Sequence, residues 1–172
     1  MFLNFNIEIL DHPYADEPSS VFEQWARMRL EICNDDGESE KIIFDTQWDV
    51  KVLVAWVIEN QVYLLAEEYP FSLQESSVAE GLHNFYEGLD LDGDSIEEDE
   101  LLDLVYNYRV RHGLRFAMRG TDIDDVFIGP INGETTISCF NDFSNWNYKV
   151  EIDGFLSTIN TLSEKLFNIK SQ

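Results

Sequence analysis

The sequence predicts an α+β fold, a mainly antiparallel sheet packed against several helices, in a single domain spanning residues 1–172. Three observations lead there. Apolar and polar residues alternate with a period of two up to Asp45 and again after Gly113. Helical patterns with their own start and stop signals lie between these regions, and one more closes the chain. Strands and helices are thus segregated along the chain rather than interleaved one by one, which favours α+β over a parallel α/β sheet. The chain, at 172 residues, is a usual size for one domain and long enough to bury a core without metals or disulfides.

The elements follow in order. In "FNIEI" (5–9), Phe5, Ile7 and Ile9 alternate with polar residues. In "WARMRLEI" (25–32), Ala26, Met28, Leu30 and Ile32 face one way and Arg27, Arg29 and Glu31 the other. "NDDGESE" (34–40) is a polar turn, and "KIIFD" (41–45) pairs back as a hairpin strand. "WDVKVLVAWVIENQVYLLAEE" (48–68) has no Gly or Pro and is too long for one strand. It reads as a helix, capped by Thr46 and Asp49, stopped near Pro70, and apolar enough all round to sit in the middle of the fold.

A second helix is expected over 78–87, with Ser77 and Glu80 at capping-box spacing and Gly88 at its end. A third runs from about 96 to 112, with Leu101, Leu104, Val105, Tyr108 and His112 as its apolar stripe and Gly113 ending it. Short strands return at "LRFAMR" (114–119), "DVFIG" (125–129), "TTISCF" (135–140) and "NYKVEI" (147–152). Asn132-Gly133 marks a hairpin turn. The last helix starts after Asp153, with Phe155, Ile159, Leu162 and Leu166 on one face.

Charge sets the functional classes. Thirty-four acids against 11 bases give a net charge of −23. Carboxylates repel phosphates, so direct binding to nucleic acid or to an anionic membrane is disfavoured. The longest apolar run, "VLVAWVI" (52–58), is far short of a membrane span, and "MFLNFNIEIL" lacks the basic start of a secretory signal. A cytoplasmic protein is expected. Cys33 and Cys139 have no Cys or His at metal-ligand spacing; reduced, core-facing thiols are expected, with no metal and no cofactor.

The acids concentrate in one place. Between Glu87 and Asp103 there are nine acids and no base. "DLDGDSIEEDE" (90–100) raises the question of a calcium loop, but neither frame of the twelve-residue pattern supplies both a first and a closing carboxylate. Ser95 and Glu98 fit a capping box, and acids in a helix's first turn suit its dipole. One or two acids suffice for that. The surplus marks Asp90, Asp92, Asp94, Glu97, Glu98, Asp99 and Glu100 either as a solvated face or as a surface for a basic partner.

Four of the 11 bases, Arg109, Arg111, Arg115 and Arg119, fall in "YRVRHGLRFAMRG" (108–120). They form either internal ion pairs or a small anion site, with Arg115 and Arg119 on one face of a strand. His12, His83 and His112 are isolated, and a capping role is expected for His112. No GxSxG, HExxH or glycine-rich phosphate loop is present, and no enzymatic activity is expected.

"WDVKVLVAWVIENQVYLLAEEYP", "SSVAEGLHNFYEG", "YRVRHGLRFAMRGTDIDDVFIG" and "ISCF" together resemble a family of small acidic bacterial proteins. These are similar to immunity proteins of polymorphic toxin systems, including contact-dependent growth inhibition. "RHGLRFAMRGTDI" is the most specific segment, and the resemblance spans roughly residues 48 to 150. Asp124 stands where the family pattern leads one to expect a proline after the isoleucine. The resemblance implies a protein that binds a cognate, basic toxin domain and blocks its active site in the cytoplasm. Two other readings stay open: an acidic nucleic-acid mimic that inhibits a host or phage enzyme, and a calcium-binding module.

Overall fold

The structure is a computed structural model that describes residues 1–17, 23–70, 77–88 and 96–167, with the backbone alone for 96–98. Among these residues are five helices and two three-stranded antiparallel sheets, so the architecture is α+β as the sequence predicts. The chain divides into two compact units, each assembled from separated segments.

The first unit comprises Met1–Gln61, Ala117–Ile123 and Val150–Gln172. Its sheet has the order β1 (Phe2–Ile9), β2 (Trp25–Cys33), β3 (Ser39–Asp49). The alternation in β2 works as read: Ala26, Met28, Leu30 and Ile32 are fully buried. Leu3 and Phe5 of β1 and Phe44 of β3 join them, but Ile9, at the end of β1, is exposed. The last helix, α5 (Asp153–Leu166), is in contact with β1, with Phe155 edge-on to Phe5 at 5.8 Å. Phe155, Leu156 and Ile159 are buried, an i, i+1, i+4 stripe. The β2–β3 turn is set by Asn34, whose side-chain oxygen accepts from the backbone N–H of Asp36 and Glu38, with Gly37 at φ 84°.

β3 runs directly into α1 (Val50–Ala66), two residues later than the sequence suggests. Thr46 lies in the strand opposite Met28 and caps nothing. Asp49 is the effective cap, since its carboxylate accepts from Lys51 N at 3.0 Å and from Gln24 N at 2.9 Å. The expectation that α1 is buried all round is overturned. Val50, Leu53, Val54, Trp56, Val57 and Leu64 are buried, whereas Val52, Ile58, Val62, Tyr63 and Leu65 are exposed. A helix can be apolar enough for the centre of a fold and still have neighbours on only some of its faces.

The second unit comprises Val62–Phe116 and Asp124–Lys149, so the boundary falls within α1. Its sheet has the order β4 (Val126–Ile131), β5 (Glu134–Phe140), β6 (Asn145–Lys149). The Asn132-Gly133 turn forms as read, with both residues at positive φ (53° and 78°), and Glu68 accepts from both of their backbone N–H groups. Helix α2 (Val78–Glu87) starts where Ser77 Oγ accepts from Glu80 N at 3.2 Å. It is seated on β5 by a bond from Ala79 N to Ser138 Oγ. Its Val78, Ala79 and Leu82 pack with Tyr69, Val105, Tyr108 and Phe127.

Helix α3 (Ile96–His112) buries a narrower stripe than expected. Val105, Tyr108 and His112 are buried at i, i+3 and i+7, while Leu101, one turn earlier, and Leu104, beside Val105 in the chain, are exposed. The strand expected over 114–119 is a helical turn, α4 (Leu114–Ala117). The buried set is Leu114, Ala117 and Met118, spaced as a helix, and Gly113 N still bonds to Arg109 O. Gly113 ends α3 as read, with α4 following at once, and it gives the close approach at which a Cβ would sit 3.1 Å from Phe127. Cys33 and Cys139 are buried, and neither forms a disulfide among the described residues.

Two substitutions test this packing. Ser77→Ala should cost about 1 kcal/mol through the lost cap. Gly120→Ala should cost about 2–4 kcal/mol, since Gly120 has φ 95° and a Cβ there would lie 2.8 Å from the Trp48 ring. Urea midpoints at unchanged slope provide the measurement.

Candidate functional site

The acidic segment that the sequence singles out is described only in part. Asp90, Asp92 and Asp94, like Ser95 of the capping box, lie outside the described residues. Glu97 and Glu98 are in the first turn of α3 by their backbone. Asp99 and Glu100 follow and are exposed, as is Asp103. The backbone thus places Glu97 to Glu100 at a helix start, where the dipole favours negative charge.

A second exposed acidic run escaped the sequence reading because a polar turn explained it sufficiently. Asp35, Asp36 and Glu38 in the β2–β3 turn and Glu40 at the start of β3 all face solvent. Among the described residues no cluster of three His, Cys, Asp or Glu side chains is arranged to hold a metal ion.

Other acids are held inside the fold by specific donors. Glu31 is 7% exposed, accepting from Asn4, from Asn6 and twice from Arg29. Burial works to raise its pKa, but hydrogen bonds from Ser39, Arg29 and Asn4 outweigh it and leave Glu31 below the usual carboxylate value. Glu67 plays the same part in the second unit. Arg111 donates to both of its oxygens, through Nε at 2.7 Å and through a second guanidinium N–H, while lying over the Tyr63 ring. The net direction for Glu67 is again downward, donors outweighing burial.

The arginine cluster does not assemble as an open anion site. Arg111 is taken by Glu67. Arg109 and Arg115 share Asp125, at 3.3 and 3.7 Å. Arg119, exposed, belongs to the first unit, and the strand face that was to align it with Arg115 does not exist. Arg109 also lies 5.2 Å over Tyr86 and lines a cleft of about 200 Å³ with Leu82, His83, Phe127 and Phe140. Its charge there faces Asp125, and Glu87 also lines the cleft, so the lining carries no surplus of positive charge.

His112 is the largest departure from expectation. It is fully buried and caps no helix end. Nδ1 lies 2.7 Å from Ile128 O, Nε2 lies 2.9 Å from Glu67, and the Tyr108 ring stacks on it at 3.9 Å. Gly129 makes this possible, because a Cβ there would sit 2.6 Å from Nδ1 and 3.0 Å from the Tyr108 hydroxyl. That hydroxyl is buried without a hydrogen-bond partner among the described residues, and burial pushes its pKa far up. Two acceptors facing one ring suit the imidazolium. Burial opposes that form more strongly than Ile128 O and Glu67 favour it, and the pKa of His112 is lowered.

No family model matches the chain, and neither curated proteins nor solved structures give a match.

The cluster generates a pH prediction. A His with a depressed folded pKa stays neutral while the unfolded chain takes up its proton near 6.5, so its contribution to stability falls on acidification. The advantage of the wild type over His112→Gln should therefore narrow as pH falls below about 6.5, read from denaturation midpoints. A widening would assign the imidazolium to the folded state. Gly129→Ala should destabilise by about 2–3 kcal/mol at neutral pH by the same assay.

Proposed function

We propose that the chain is an immunity protein, a stoichiometric inhibitor that binds a cognate basic toxin domain and blocks its active site in the cytoplasm of the producing cell. One observation carries the reading: the fold holds Glu31, Glu67, Asp49 and Asp125 in specific bonds, yet leaves Asp99, Glu100 and Asp103 exposed on α3, with no base on that helix before Arg109. Folding has no need of that many exposed acids, since self-repulsion at −23 opposes compaction.

The surplus has a direct use in association. A strongly negative surface draws a basic cleft into encounter and raises the association rate by one to three orders of magnitude at low salt. The resemblance to immunity proteins points to the same class of partner. The acids of 90–100 supply the complementary charge, and a set of apolar and aromatic contacts supplies residence time.

The test uses the product of the adjacent gene as the partner. Co-purification and rescue of cells from its toxicity are expected, and absence of both would sink the reading. Neutralising Asp90, Asp92, Asp94, Glu97, Asp99 and Glu100 together, with Ser95 and Glu98 kept, should slow association about tenfold at low salt and much less at high salt. An unchanged association rate at low salt removes this face from the contact.

A further inference from the structure

In the first unit, four rings from three parts of the chain form a continuous row. Tyr14 meets His12 at 6.2 Å between centroids, His12 meets Trp25 at 5.4 Å, and Trp25 meets Trp48 at 5.5 Å. None of the four is in the buried class, and Tyr14 is 62% exposed. The sequence gives no periodic signal for this, because residues 12, 14, 25 and 48 belong to a loop and to the ends of two strands.

The row is fixed in place. His12 Nδ1 accepts from Tyr14 N at 3.0 Å, so the ring proton is on Nε2, which donates to Glu23 at 2.7 Å. The imidazole is thus held at both nitrogens. At the other end, Gly120 lies against Trp48 so closely that a Cβ would stand 2.8 Å from two of its ring carbons. Gly120 belongs to "RHGLRFAMRGTDI", the segment that most specifically carries the family resemblance. Its positive φ and missing side chain gain a physical role as the seat of Trp48.

Two carboxylates accompany the rings. Glu23 is bonded to His12 and remains partly exposed, and Asp11, next to His12 in the chain, is exposed. Aromatic faces beside carboxylates select cations: guanidinium stacks on Trp and Tyr faces while its N–H groups meet carboxylate oxygens. An apolar occupant would leave the carboxylates uncompensated, and an anion would be repelled by them and by the net charge.

We infer that the row Tyr14–His12–Trp25–Trp48, with Glu23 and Asp11, is the docking surface for an arginine-bearing segment of the basic partner. The inference rests on the immunity reading for the partner's identity. It supplies the aromatic contacts that hold a complex together after the acids have steered it.

Two experiments separate the inference from that reading. In the first, a tetra-arginine peptide is titrated into the full ¹⁵N-labelled chain and the indole N–H signals of its four tryptophans are followed. Trp25 and Trp48 signals should move while those of Trp56 and Trp146 stay, and Tyr14→Ala should weaken the peptide severalfold. If the peptide shifts only amides of the acidic segments, the docking surface is refuted. In the second, the product of the adjacent gene binds Tyr14→Ala and Trp25→Phe. Affinity should fall about tenfold, mostly through faster dissociation. Full affinity in both variants overturns the docking surface and leaves the immunity reading standing. A wild type that binds no such partner overturns the immunity reading, and the peptide titration still decides the aromatic row.

Discussion

The constraint that organises this protein is the scarcity of positive charge. Eleven bases face 34 acids, so most acids have no counter-ion within the chain. The arginines that are described in ion pairs serve acids at structural positions: Arg29 with Glu31, Arg27 with Asp45, Arg111 with Glu67, and Arg109 and Arg115 with Asp125. The exposed pairs among them add little stability. The pair at Glu67 matters more, because its partner side chains are mostly sheltered and the same carboxylate faces the buried His112.

That allocation divides the acids by chemistry. Those that accept from side-chain amides, guanidinium groups or backbone N–H groups position elements: Asp49 starts α1, Glu68 secures the β4–β5 turn, and Glu31 ties β1 to β2. Those on α3 face water, as do those around the β2–β3 turn, where Glu38 and Glu40 also accept from the exposed Asn34 side chain. They set the long-range field of the molecule, which governs encounter with a partner but contributes little to holding one. Aromatic rings are the natural complement, since they bury large area with few rotatable bonds.

Local signals in the sequence proved reliable. Ser77, Gly88, the Asn132-Gly133 turn and the alternation in β2 each act through residues within one turn or one strand, and each element appears where they place it. Failures arose where a pattern admitted two periods or assumed its surroundings. Leu114, Phe116 and Met118 match a strand, and only the burial of Ala117 distinguishes the helical turn. The apolar α1 gave no hint of which positions would remain uncovered. His112 looked like a capping residue because its acceptor, Glu67, is 45 residues away in the chain.

By itself, then, the sequence determined the α+β class, most element boundaries and the negative field, because propensity, capping and net charge depend on composition and on neighbours a few residues apart. The tertiary structure alone decided which acid each arginine serves, which faces of α1 and α3 stay exposed, and how Tyr14, His12, Trp25 and Trp48 come into one row. These are matters of contact between distant segments. Side chains such as Arg111 and Glu67, 44 residues apart, meet only once packing has fixed the backbones that carry them.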